Sequence, residues 1–74
     1  MLDYKGRRGR NHDRDTVVFD YRVDGRRVPV HVSTEAMEDQ GETAALAMAA
    51  RKLATAAASG TVPVEVLVTN ADFE

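Results

Sequence analysis

The sequence predicts an α+β fold, a two-layer ββ(α)αβ domain. One long helix and a short preceding helix are expected on one face of a three-stranded antiparallel sheet. Three patterns lead there. Residues 16–24 and 27–32 alternate apolar and polar side chains on either side of Asp24-Gly25, the signal of a hairpin. Residues 42–58 form an alanine-rich stretch that stops at Ser59-Gly60, as helices commonly do. Residues 61–69 alternate again, with Val62, Val64, Val66 and Val68 on one side.

Residues 1–14 show neither helical nor strand period, because Gly6 and Gly9 interrupt both. They carry five basic side chains, Lys5, Arg7, Arg8, Arg10 and Arg14, against Asp3 and Asp13. The remaining sixty residues are net acidic. The expected organisation is a flexible basic arm over 1–14 and a single small α+β domain over 15–74.

In the first predicted strand Val17, Phe19, Tyr21 and Val23 share a face, with Val18, Asp20 and Arg22 opposite. In the second, Val28, Val30 and Val32 oppose Arg27, Pro29 and His31. Two registers keep the valine sets together. A tight Asp24-Gly25 loop sets Arg22 across from Arg27, a like-charge pair. A Gly25-Arg26 loop pairs Asp24 with Arg27 and Asp20 with His31. Cross-strand charge pairs differ by about 0.2–1 kcal/mol, which favours the second register.

Ser33 or Thr34 is placed to cap a short helix over 35–39. Asp39-Gln-Gly-Glu42 reads as a capping box for the long helix. Leu46, Ala50, Leu53 and Ala57 are its expected buried face, with Arg51, Lys52 and Thr55 turned away. Proline favours edge strands. Pro29 and Pro63 therefore put the first strand in the middle, in the order 2-1-3, antiparallel throughout.

Seventy-four residues bury a small core, and this one lacks isoleucine and tryptophan. A homodimer is a cheap source of further burial. There is no cysteine, no signal-peptide pattern and no long apolar run, which together suggest a cytoplasmic protein with no membrane partner. His12 and His31 are the only histidines, at no metal-ligand spacing, so both are expected in solvent and no metal or other cofactor is implied. No serine lies in a nucleophile elbow, and Gly6-Arg-Arg-Gly9 lacks the ending of a phosphate loop. A catalytic function is not expected.

Two surfaces remain as binding candidates. Lys5, Arg7, Arg8, Arg10 and Arg14 could meet nucleic-acid phosphates without sequence preference. Glu35, Glu38, Asp39 and Glu42 could meet a basic protein surface, and Met48, with the alanines of the long helix, offers a small apolar flank to a protein partner.

The stretch Asp13-Arg-Asp-Thr-Val-Val-Phe19, the pair Asp24-Gly25, the run Val30-His-Val-Ser-Thr-Glu-Ala36 and the ending Thr69-Asn-Ala-Asp-Phe73 are similar to a family of small bacterial proteins classed as a domain of unknown function. The resemblance spans residues 13–73 and implies the same hairpin and helix start, with no activity or site residues. In size and element order alone, the chain also resembles anti-CRISPR inhibitors of phages. The expected function is a non-enzymatic binding protein that occupies a macromolecular partner surface, with such an inhibitor as one form. The alternative is a nucleic-acid-associated regulator using the basic arm.

Overall fold

The computed structural model describes residues 2–74. The chain is α+β, with a mixed four-stranded sheet: β1 (Leu2–Asn11), β2 (Thr16–Val23), β3 (Arg26–Ser33) and β4 (Val66–Val68), in the order β1-β2-β3-β4. Helices α1 (Thr34–Gln40) and α2 (Glu42–Ala58) connect β3 to β4 across one face, and a short 3-10 turn, η1 (Asn70–Phe73), closes the chain.

The largest departure from expectation is the arm. Residues 2–11 form a ten-residue strand antiparallel to β2, so the expected boundary near residue 14 is a turn within one sheet; residue 1 lies outside the described residues. Two β-bulges explain why the strand shows no period of two. The pairing steps from Tyr4 to Gly6 and from Arg7 to Gly9, leaving Lys5 and Arg8 as the extra residues. Gly6 (φ 108°) and Gly9 (φ 141°) supply the backbone conformation that side-chain-bearing residues avoid. Each bulge resets the alternation. Tyr4, Arg7 and Arg10, three residues apart, therefore all align with inward positions of β2.

This strand also accounts for the wrong sheet order. The third predicted strand runs in the expected direction. The flank of β2 it was to occupy is taken by β1, so it pairs instead with β3, in parallel. It is short as well: only Val66–Val68 pair, and Val64 is exposed. Pro29 lies in an interior strand, yet breaks no ladder. Counting from the Val23/Arg26 pair that closes the hairpin, Asp20/Pro29 falls at a non-hydrogen-bonded position. The proline nitrogen then faces the other flank, where β4 reaches only residues 30–32.

The hairpin takes the tight register, with Arg22 opposite Arg27 and Val18 opposite His31. Turn geometry outweighs charge here. Asp24 (φ 52°) and Gly25 (φ 82°) both hold the positive φ of a two-residue hairpin turn. Arg27 instead reaches along the sheet to Asp20, with its Nε 3.3 Å from Oδ1.

Ser33 caps α1, its Oγ accepting from the Ala36 N–H at 3.1 Å. The expected capping box of α2 does not form. Asp39 stays in α1 and accepts from the Asn70 amide at 2.7 Å, while Gly41 is the cap of α2 with no side-chain bond. The buried face of α2 is Ala45, Ala49 and Leu53, about one residue round from the face expected; Ala57 is exposed. Ala45, Ala49 and Leu53 share one buried cluster with Phe19, Val28, Val30, Val32 and Val68. Burying Phe19 and Leu53 contributes roughly 1.5–3 kcal/mol each.

The chain end is tied down. Thr69 and Asp72 form a reciprocal capping box, and the Lys52 ammonium donates to the Leu67 carbonyl (2.7 Å) and to Asp72 (2.9 Å). Burial pushes the Asp72 carboxyl up, but the Thr69 N–H and the Lys52 charge outweigh it and hold the group below its ordinary range. Phe73 packs against the core from this end. No helix among the described residues is long and apolar enough to cross a membrane.

Candidate functional site

The helices cover one face of the sheet, and no described element lies over the other. Alternation sends Val18, Asp20 and Arg22 of β2 and Arg27, Pro29 and His31 of β3 to that open face. The bulges deliver Lys5 and Arg8 of β1 to it as well. Lys5 lines a shallow concavity of about 570 Å³ with Asp20, Arg22 and Arg27, and Arg8 approaches Asp20 at 3.9 Å. The four-residue turn 12–15 curls over one end, where a second concavity of about 660 Å³ includes Arg8, Gly9, Val18, Pro29 and His31.

Of the basic residues singled out from the sequence, the fold brings Lys5, Arg8 and Arg14 to this face. It turns Arg7 and Arg10 the other way; Arg7 stands 3.7 Å from Glu42 at the start of α2. The acidic candidates lie on the helix side. Glu35, Glu38 and Asp39 are exposed on α1, with Asp39 engaged by Asn70. Met48 is half-buried and packs against the core, and it also lines a surface concavity with Arg51, Lys52 and Thr55 of α2.

Arg22, Arg27 and His31 were missed as site residues. Alternation had already placed them on the polar face, so the signal existed. What was lacking was the strand that carries Lys5 and Arg8 beside them.

His31 was expected in solvent and is instead 7% exposed. Its Nδ1 lies 3.0 Å from the Thr16 Oγ1 and its Nε2 3.4 Å from the Arg14 Nη1. A guanidinium only donates, so Nε2 accepts and Nδ1–H donates to Thr16, the neutral tautomer. The same Arg14 nitrogen donates to Glu65 at 2.8 Å, joining the turn to the approach to β4. Burial pushes the imidazole below its ordinary value; the Arg14 charge, and more weakly Arg8, act in the same direction, while Glu65, with an oxygen 3.9 Å from Nε2, opposes them.

The folded chain thus refuses a proton that the unfolded chain accepts near its ordinary value of about 6.5. Stability rises with pH through that window, so this contribution is fully present above about pH 6.5 and is lost as pH falls toward the folded value. Thermal unfolding scanned from pH 8 to 5 should show a downward step in Tm in this window. The step should be absent in His31→Gln, and a wild-type profile that is flat or rises on acidification would contradict the neutral assignment.

No protein family, curated protein or solved structure gives a match to this chain.

Proposed function

We propose that the chain is a non-enzymatic binding module that lays the open face of its sheet on an acidic surface of a protein partner. One observation carries this reading. Lys5, Arg8, Arg14, Arg22 and Arg27 gather on one uncovered face of a molecule whose overall charge is −2. The carboxylates on that face are Asp3, Asp13, Asp20 and Glu65, and the last two are already shared with arginines. Glu35, Glu38 and Asp39, exposed on α1, oppose this charge from the helix side, an asymmetry that favours approach of the open face to an acidic partner. Leu67, partly exposed beside His31, adds apolar contact of the kind protein interfaces use.

The second reading, a nucleic-acid-associated regulator, is favoured by the delivery of Lys5 and Arg8 to the same face as Arg22 and Arg27. Single-strand platforms stack bases on aromatic rings. Here Tyr4, Phe19 and Tyr21 all lie on the helix side, where the Tyr4 ring meets Phe19 and Tyr21 at 6.4 and 5.2 Å. Any nucleic-acid contact would therefore be to phosphates.

The test is paired. Immobilised wild type should recover a stoichiometric protein partner that Arg8→Ser/Arg22→Thr/Arg27→Thr does not. Labelled DNA and RNA should bind no tighter than non-specific levels, about 10⁻⁴–10⁻⁶ M. Equal recovery by the variant, or no partner, would overturn the reading. Tight duplex binding lost in the variant would move the assignment to the second one. Capture of a bacterial defence nuclease complex would narrow it to an inhibitor of the anti-CRISPR kind.

A further inference from the structure

We infer that the concavity between Lys5, Arg22 and Arg27 is a binding site for a small phosphoryl oxyanion, of the phosphomonoester or inorganic phosphate class. This goes beyond docking to a protein surface, though it uses part of the same face.

The site begins with an unfavourable pair. Arg22 and Arg27 stand directly opposite each other one step from the hairpin turn, at a non-hydrogen-bonded position where side chains are closest. Like charges there destabilise a hairpin. The bulge at Gly6 then adds Lys5 to the same concavity. Asp20 is the one carboxylate among the lining residues, and it is divided between the Nε and Nη2 of Arg27 (both 3.3 Å to Oδ1) and the more distant Arg8. Asp3 is the register partner of Arg22 but lies beyond ion-pair distance of it. Among the described residues Lys5 and Arg22 make no ion pair.

The lining thus carries three cations and one anion. Asp20 orients the Arg27 guanidinium, while Arg22 keeps its full fork of donors unengaged. A phosphoryl group brings three acceptor oxygens and, as a monoester, a charge of about −1.5 to −2. It can take two parallel N–H bonds from a guanidinium and a further one from the lysine. A carboxylate has fewer acceptors and half the charge, and a phosphodiester is a monoanion. The dianion is the best match to the excess positive charge of two in the lining.

Thermal unfolding at constant ionic strength tests this, with potassium phosphate replacing chloride. Phosphate should raise the wild-type Tm saturably by several degrees. Arg22→Thr should raise the Tm in phosphate-free buffer, because the like-charge pair is gone, and should weaken the phosphate response at least about tenfold. Lys5→Gln should weaken it while leaving the arginine pair intact. A nucleoside monophosphate should act at concentrations similar to phosphate. No saturable shift, or an equal shift in wild type and Arg22→Thr, would overturn the site. A shift seen only with a short DNA duplex would overturn it too, in favour of backbone contact. Saturable phosphate binding without any captured protein would leave this site standing and remove the proposed function; a captured partner with no phosphate response would do the reverse.

Discussion

Removing residues 2–11 should abolish cooperative folding. A charge split between a basic start and an acidic remainder invites the opposite expectation, of a tail that can be cut away. In the fold those residues are a full edge strand. They pair with β2 along its whole length and pack Leu2 and Tyr4 against the core rings. Each inter-strand hydrogen bond is worth about 0.5–1.5 kcal/mol net. A domain of this size has a total margin of roughly 4–11 kcal/mol. Losing most of a ladder and exposing Phe19 and Tyr21 therefore consumes the whole margin. Circular dichroism melting of the truncated chain should show a broad, non-cooperative signal with aggregation. A sharp transition within a few degrees of wild type would mean that β1 is an appendage after all.

The second large effect concerns association. Replacing Arg8, Arg22 and Arg27 together with Gln should lower the on-rate for the proposed acidic protein partner by about tenfold to a thousandfold at low salt. It should also flatten the dependence of that rate on ionic strength. The fold should survive, because none of the three is buried and removing the Arg22/Arg27 repulsion offsets the loss of the Asp20 contacts. Stopped-flow or surface-capture kinetics across a salt series reads this directly. An unchanged on-rate with an intact fold would place the contact surface elsewhere, on the acidic side of α1.

Where one period ran unbroken, the sequence was legible. The alternation from Thr16 to Val32 placed every inward valine, and Ser59-Gly60 marked the end of α2. Misreadings came where two local rules competed. At Asp24-Gly25 the charge pairing argued for one register and positive φ for another, and backbone geometry prevailed. At Asp39–Glu42 a capping motif was present in letters, but α1 ran through it to Gln40. His31 lay on the polar face as expected; its burial depends on Arg14 and Thr16 reaching it, contacts that no pattern within β3 encodes. The strand over residues 2–11 was hidden because each bulge adds a residue and turns a period of two into a period of three. The spacing Lys5-Gly6, Arg8-Gly9 was the available signal: a basic residue and a glycine repeated every three positions are compatible with two successive bulges.

Those same bulges bear on how the protein behaves at high concentration. A ten-residue strand with an unpaired outer edge is a template for a neighbouring chain to continue the sheet, the first step of fibrillar self-assembly. The kinks at Gly6 and Gly9 break the straight row of donors and acceptors such a neighbour would need, and Lys5, Arg7, Arg8 and Arg10 make a stacked second copy repel the first. The irregularity that hid this strand from its own sequence pattern is thus also its guard against aggregation.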